Sequence, residues 1–311
     1  MFPPVFVLAA VAGGTALGAA ALASARWPYR APGAAIRLWQ ALGLSWGLAA
    51  VGSLAALGAV PGRYGVAGGA LSGAIRALRT TALGAPTLIA VARLAVLAAS
   101  AALFALLCWV LVAASATVLV ARRRHRDLLS LLAHGDPKVP GALVVDHPAA
   151  AAYCVPGLRS RIVISAGTLD LLDAAELAAV LAHERAHLRA RHDLVLLPFS
   201  ALGRAFPRAR LACQAHATVA LLVEMLADDR ALRHRPAREL ATALLRVGTS
   251  GAGLAPSGAL AATGTADAEV AARVARLLAP QARLPRHVQA LVCGTAALLV
   301  AIPVTLLLFS F

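Results

Sequence analysis

The sequence predicts a multi-pass α-helical membrane protein that carries one α-rich α+β domain in water. Three observations lead there. Of its 311 residues, 60% are hydrophobic and only 14% charged, against about a quarter charged in an average soluble domain. All fourteen Asp and Glu lie between Arg122 and Arg286, so residues 1–121 and 287–311 hold no acid. Uncharged apolar runs of the length a bilayer core demands, about 20 residues in a helix, recur on both sides of that interval.

Those runs are Pro3–Ser24, Leu38–Val60, Leu94–Ala121 and Val288–Phe311. They divide the chain into an N-terminal membrane region, 1–121, with spans at about 3–24, 38–60 and 94–121. A water-facing domain occupies 122–286, and a C-terminal transmembrane helix occupies 287–311. Ala23-Ser24-Ala25 resembles a cleavage site, but no basic segment precedes the first run and Arg26 and Arg30 follow it. That order favours a retained anchor with its N-terminus outside. Arg122-Arg123-Arg124-His125-Arg126 then falls inside, making the 122–286 domain cytoplasmic in a multi-pass protein of the cell membrane. Arg63, Arg76, Arg79 and Arg93 in the presumed outer loop, Pro61–Arg93, run against the positive-inside rule. Gly14-x-x-x-Gly18 and Gly43-x-x-x-Gly47 are candidate points of close helix approach.

The net charge of +15 does not point to nucleic acid. Seven Arg lie in the acid-free first 121 residues, and the basic run at 122–126 abuts an apolar segment. Charges so placed anchor helices against anionic head groups, and no nucleic-acid-binding motif accompanies them. The expected partners are the bilayer and a protein or peptide substrate. Cys108, Cys154, Cys213 and Cys293 form no C-x-x-C pair and read as small buried hydrophobes in a reducing compartment.

The chemistry concentrates in Asp173–Leu188, DAAELAAVLAHERAHL. Asp173 followed by Glu176 is a capping-box start, and the Ala/Leu-rich stretch after it favours helix. Within it, His183-Glu184-Arg185-Ala186-His187 is an H-E-x-x-H. Spacing of four sets both imidazoles on one helix face, where they can share a tetrahedral ion. Glu184, next to the first imidazole, can reach a water in the open position, the arrangement for metal-assisted hydrolysis. With this composition the pattern arises by chance in about one such chain in 250, taken as a fixed motif. The competing account is two solvated histidines on one helix face.

A catalytic zinc site needs a third protein ligand. Glu224 interrupts the apolar run Ala217–Leu226, where an unpaired charge is costly, and it is the candidate ligand. Asp228, one turn on, can accept the N–H of a metal-bound histidine. The alternatives are an arginine-paired or solvated Glu224, and a surface pair of Asp228 with its neighbours Asp229 and Arg230.

H-E-x-x-H followed by a helix bearing E-x-x-x-D resembles the membrane gluzincin peptidases of the CaaX prenyl protease and HtpX kind. The wider segment, Tyr153-Cys-Val-Pro-Gly-Leu, Arg161-Ile-Val-Ile-Ser and Leu177–Arg189, resembles more closely the bacterial β-lactam sensor-transducer peptidases, over about Ala149 to Leu232. The resemblance implies a zincin domain, zinc held by His183, His187 and Glu224, Glu184 as catalytic base, and Asp228 behind the ligands. The sensor-transducers also carry an extracellular penicillin-binding domain, for which these residues leave no room. The expectation is peptidase chemistry without β-lactam sensing.

Around the motif, Leu143–Asp146 and Arg161–Ser165 read as strands of a small sheet, either a purely structural hairpin or an edge that pairs with extended peptide. Leu194–Leu202, with Pro198, reads as a helix against the membrane or a buried turn, and Gly248–Ala266 as a linker or lid. Ala268–Leu278, with Arg273 and Arg276, reads as a short helix leading to the last span. His192 and His216 receive no role. The function expected is zinc-dependent endoproteolysis of a membrane-proximal protein, regulatory or for quality control. The rival is a non-catalytic membrane signalling module that retains the fold.

Overall fold

The structure, a computed structural model, describes residues 4–60, 65–82, 87–157, 160–250, 266–279 and 281–309. Arg63 and most of the expected Gly248–Ala266 linker lie outside these residues. Four helices come first: α1 (Pro4–Ser24), α2 (Pro32–Gly58), α3 (Gly65–Ala82) and α4 (Leu88–Leu132). Strands β1 (Ala133–Gly135), β2 (Ala142–Val145), β3 (Ala152–Val155) and β4 (Arg161–Ser165) follow. Helices α5 (Ala166–Leu171), α6 (Ala174–Ala190), α7 (His192–Ala205), α8 (Arg210–Ala231), α9 (Ala237–Thr249), α10 (Ala266–Leu278) and α11 (Arg286–Leu308) complete the chain. It is helix-rich, and it divides into two compact units.

The first unit comprises Met1–Val112, Leu202–Ala215 and Leu284–Phe311. Its helices α1, α2 and α11 are long and apolar enough to cross a membrane, as is α4. Their faces carry large exposed apolar side chains, among them Leu17, Phe104, Trp109 and Leu298, so their contacts with one another rest on close packing and hydrogen bonds. Ser45 Oγ donates to Leu299 O at 2.7 Å, joining α2 to α11, and Ser100 Oγ donates to Val51 O at 2.9 Å, joining α4 to α2. Of the two G-x-x-x-G motifs, only Gly18 lies at a tight approach, against Leu42, while Gly14 and Gly43 face open space. Two of the helices extend well beyond the apolar segments that announced them, α2 at its start and α4 at both ends. Pro32 opens α2 with its φ preset for a helix, and α4 runs on through the basic residues to Leu132 because Arg and Leu are good helix formers. Where a loop was expected between the second and third spans, α3 stands. Cys108 and Cys213 are exposed rather than buried.

The second unit comprises Ala113–Ala201 and His216–Arg283. Its sheet has the order β1-β2-β4-β3. The two expected strands are present as β2 and β4, but they pair in parallel and are no hairpin. Between them in sequence, β3 crosses to the far side of β4 and pairs with it antiparallel, freeing the near side for β2. Alternation along β4 separates two cores. Ile162 and Ile164 join Leu177, Val180 and Leu181 of α6, while Val163 joins Leu129 of α4 and Val155 of β3. Ser165 locks the strand's end by accepting from Ala151 N at 2.8 Å and Thr168 N at 3.2 Å. Gly167 follows because any Cβ there would overlap the Pro148 carbonyl.

By length and apolarity α8 also qualifies as a span, making five such helices among the described residues against the four expected. Its apolar residues Val219, Leu222, Val223, Met225 and Ala227 are almost fully buried within the protein, and its last turns bear Glu224, Asp228 and Asp229. From His216 on, we read it as an interior helix of the second unit. The 194–202 segment is part of α7, which carries Pro198 within it. Two residues of the basic run, assigned to lipid by the sequence, have protein partners. Arg122 pairs with Asp193 at 2.9 Å, and His125 Nε2 meets Tyr153 Oη at 3.0 Å.

Candidate metal centre

The capping box is formed. Asp173 Oδ1 accepts from Ala175 N and Glu176 N, each at 2.9 Å, and Glu176 Oε2 accepts from Asp173 N at 3.0 Å. Glu176 is buried, and Arg246 of α9 donates to its Oε2 at 3.0 Å, so the charge is not stranded. With its start so pinned, α6 turns Leu177, Val180 and Leu181 to the sheet and presents His183, Glu184 and His187 one turn further on. It ends at Arg191, whose left-handed φ of 48° turns the chain sharply into α7.

His183, His187 and Glu224 offer donor atoms that all lie within 4.8 Å of one another. His183 Nε2 and His187 Nε2 are 3.0 Å apart, and Glu224 places Oε2 3.3 Å from the first and Oε1 3.4 Å from the second. Tetrahedral donors about 2.0–2.1 Å from a zinc ion stand about 3.3–3.4 Å from each other, so these residues fit the ion. Charge leads to the same conclusion. Glu184, Glu224 and Asp228 supply three carboxylates and Arg273 one guanidinium, so the group with neutral imidazoles is short of two positive charges.

Asp228 is fully buried, and its Oδ1 lies 2.9 Å from His183 Nδ1. It is no surface pair with its neighbours; Asp229 instead receives Arg276 at 2.9 and 3.0 Å. Asp228 is gripped by Arg273, which donates from Nε to Oδ2 at 2.9 Å and from Nη2 to Oδ1 at 2.7 Å, a two-pronged charge-assisted pair. The third nitrogen, Nη1, lies 3.0 Å from Glu224 Oε2. Arg273 reaches both carboxylates because α10 docks through Val274 and Leu277 onto Ala179, Ala231 and Leu240.

The electrostatics follow from this packing. Burial opposes charge on Glu224, but Arg273 and the two imidazoles outweigh it and hold the carboxyl well below its usual range. Asp228 is lowered likewise, burial being overcome by His183 and Arg273. Burial also disfavours charge on His183, yet Asp228 and Glu224 lift it to about 9. Glu184 goes the other way. Burial raises it, only partly countered by His183 and His187, and a carboxylate so raised is a better proton acceptor.

Two residues of this assembly went unassigned in the sequence. The sequence presents Arg273 only as part of a short helix leading to the last span. His192 sits behind the second histidine, its Nδ1 3.0 Å from His187 Nδ1 and its Nε2 3.3 Å from Arg230 Nη1. The only traces of them in the sequence are consecutive Asp228-Asp229 set against Arg273 and Arg276, three apart on one helix, and a histidine just beyond the end of the motif helix, and neither singles out a role. His216 is not among the grouped donors.

A buried His183 grouped with half-buried His187 and Glu224, with the half-buried carboxylate of Glu184 beside them, defines a candidate metallohydrolase centre. Residues 118–231 match the model of peptidase family M48, a match that points to a metallopeptidase. It takes in both donor-bearing helices and stops short of Arg273. Neither curated proteins nor solved structures gave a match.

Proposed function

We propose that this chain is a membrane-embedded zinc endopeptidase that hydrolyses a peptide bond in a membrane-proximal protein, with a regulatory or quality-control role. The observation that carries the reading is the 3.0–3.4 Å spacing of His183, His187 and Glu224, on helices within the M48 match. Zinc held there would supply a Lewis acid that polarises a carbonyl and acidifies water. Glu184 takes the proton of the attacking water and delivers it to the leaving amine. Asp228 orients His183 and is itself held by Arg273; His192 backs His187. The two strands read from the sequence, β2 and β4, are interior, so the substrate lies extended along β3, one of the two edge strands of the sheet, and pairs with it by main-chain hydrogen bonds. The rival reading, a silent binding module, has no use for a carboxylate at 184.

Metal analysis tests the proposal. We expect about one zinc per chain, none in the His183→Ala/His187→Ala double variant, and a greatly weakened site in Glu224→Ala. His192→Ala should lower affinity by about 10–100-fold in chelator competition, the usual cost of losing a partner behind a ligand. Affinity should also climb as pH rises toward 9. His183 is protonated below its raised pKa in the metal-free protein, and binding must expel that proton. Zinc retained at full stoichiometry by the double variant would sink the site.

The peptidase domain faces the cytoplasm in this reading, on the strength of Arg123 and Arg124, which remain exposed at the end of the apolar part of α4. A fusion after Gly248 of a reporter that works only outside the membrane should be silent. Activity there would reverse the topology.

A further inference from the structure

Helix α10 carries its ionic side chains along one stripe. Glu269, Arg273 and Arg276 follow at spacings of four and three, which sets them on one face, while Val270, Val274 and Leu277 pack into the core shared with α6, α8 and α9. The two arginines are paired to α8 in order. Arg276 holds Asp229, and Arg273, one step earlier, holds Asp228 and reaches Glu224 a turn earlier still. Exposure rises along this ladder, from 1% at the Asp228 side chain to 33% at Glu224, so it leads from the interior to the mouth of the centre. Glu269 is the next step, one turn and about 6 Å of axis before Arg273, and it is half-buried.

That step has no partner. Among the described residues Glu269 makes no ion pair, and all three nitrogens of Arg273 are turned to Asp228 and Glu224. Residues 247–272 contain no Lys, Arg or His, so its own stretch of chain brings no cation. Burial, and after it the charge of Glu224, raise the Glu269 carboxyl, and Arg273 offsets them only in part. The carboxylate therefore stands within electrostatic reach of Glu224, and two like charges withdrawn from water favour a cation beside them. Asp267, exposed in the same first turn, already meets the positive end of α10; that role does not call for a second acid this close to Glu224. Metal at the centre would engage Glu224 and leave Glu269 as the uncompensated carboxylate at the rim.

We propose that Glu269 is a specificity-determining residue that binds a cationic side chain, Lys or Arg, of the substrate close to the scissile bond. The proposal rests on the peptidase reading and deepens it. The protein cut is one with a basic cleavage site, the composition found on the cytoplasmic flanks of membrane helices.

The test offers the zinc-loaded full chain, in detergent, a pool of N-acetylated, C-amidated peptides of random sequence, with cleavage sites read by mass spectrometry. Lys and Arg should be enriched several-fold at one position beside the cut. Glu269→Gln should abolish that enrichment, and Glu269→Arg should replace it with Asp and Glu. A second readout needs no turnover. The Glu184→Gln chain should retain basic peptides of the pool several-fold over neutral ones, and Glu184→Gln/Glu269→Gln should retain both alike. A role confined to the helix dipole would change stability and leave both profiles as they were. A basic preference that survives Glu269→Gln in either readout overturns the proposal, as does equal retention of basic and neutral peptides by Glu184→Gln. If the wild type cuts nothing while retention of basic peptides still depends on Glu269, the recognition stands and the peptidase reading has failed.

Discussion

Glu184→Gln keeps the metal and the fold and stops proteolysis. Glutamine is nearly isosteric, so α6 and the imidazoles on either side of position 184 stay as they are. The amide has no basicity with which to take a proton from water. General acid–base help is worth about 10²–10⁴-fold, and in the proposed mechanism Glu184 serves both the attack and the departure of the amine. The loss should therefore appear in kcat, with KM little changed. An uncleaved protein retained by the variant would be the substrate, recoverable by crosslinking and mass spectrometry. A variant that cleaved at the wild-type rate would leave the peptidase reading without a base, and the binding-module account would replace it.

Arg273→Met should be the most destabilising single change at the site. The methionine fills the space of the stem but leaves Asp228, fully buried, and Glu224, one-third exposed, without their guanidinium. Removing one partner of a buried charge pair costs about 3–5 kcal/mol. Arg273→Lys should recover only part of that, since one ammonium cannot grip both oxygens of Asp228 and reach Glu224 as well. Urea titration of the metal-free protein in detergent would measure both. A cost below about 1 kcal/mol for Arg273→Met, the level of an exposed ion pair, would show that the network is peripheral.

The motif was legible because its geometry is local. His183 and His187 meet through one turn of one helix, and the capping box that begins α6 is written in two residues. Glu224 stood out as a carboxylate in an apolar run. What holds Asp228 was not legible, since Arg273 lies 45 residues away, on an amphipathic helix whose other arginine looks the same. Only the docking of α10 buries the first and leaves the second at the margin. His192 was hidden by Arg191. A left-handed turn usually announces itself with Gly or Asn, and an arginine there gives no sign that the chain doubles back. Strand β3 escaped because Ala152-Tyr-Cys-Val is four residues long with no clear alternation. The glycines of α3 read as a loop, yet Gly65, Gly69 and Gly73 are the face by which that helix fits its neighbours.

The distance in sequence between Asp228 and Arg273 has a consequence during synthesis. Chains grow at about 5–20 residues per second, so the last of these imidazoles and carboxylates, Asp228, leaves the ribosome roughly 2–9 s before the guanidinium that binds the carboxylates. Until then the two carboxylates lack the guanidinium that grips both oxygens of Asp228 and reaches Glu224. The network around the carboxylates is complete only once α10, the last helix of the second unit, has been made.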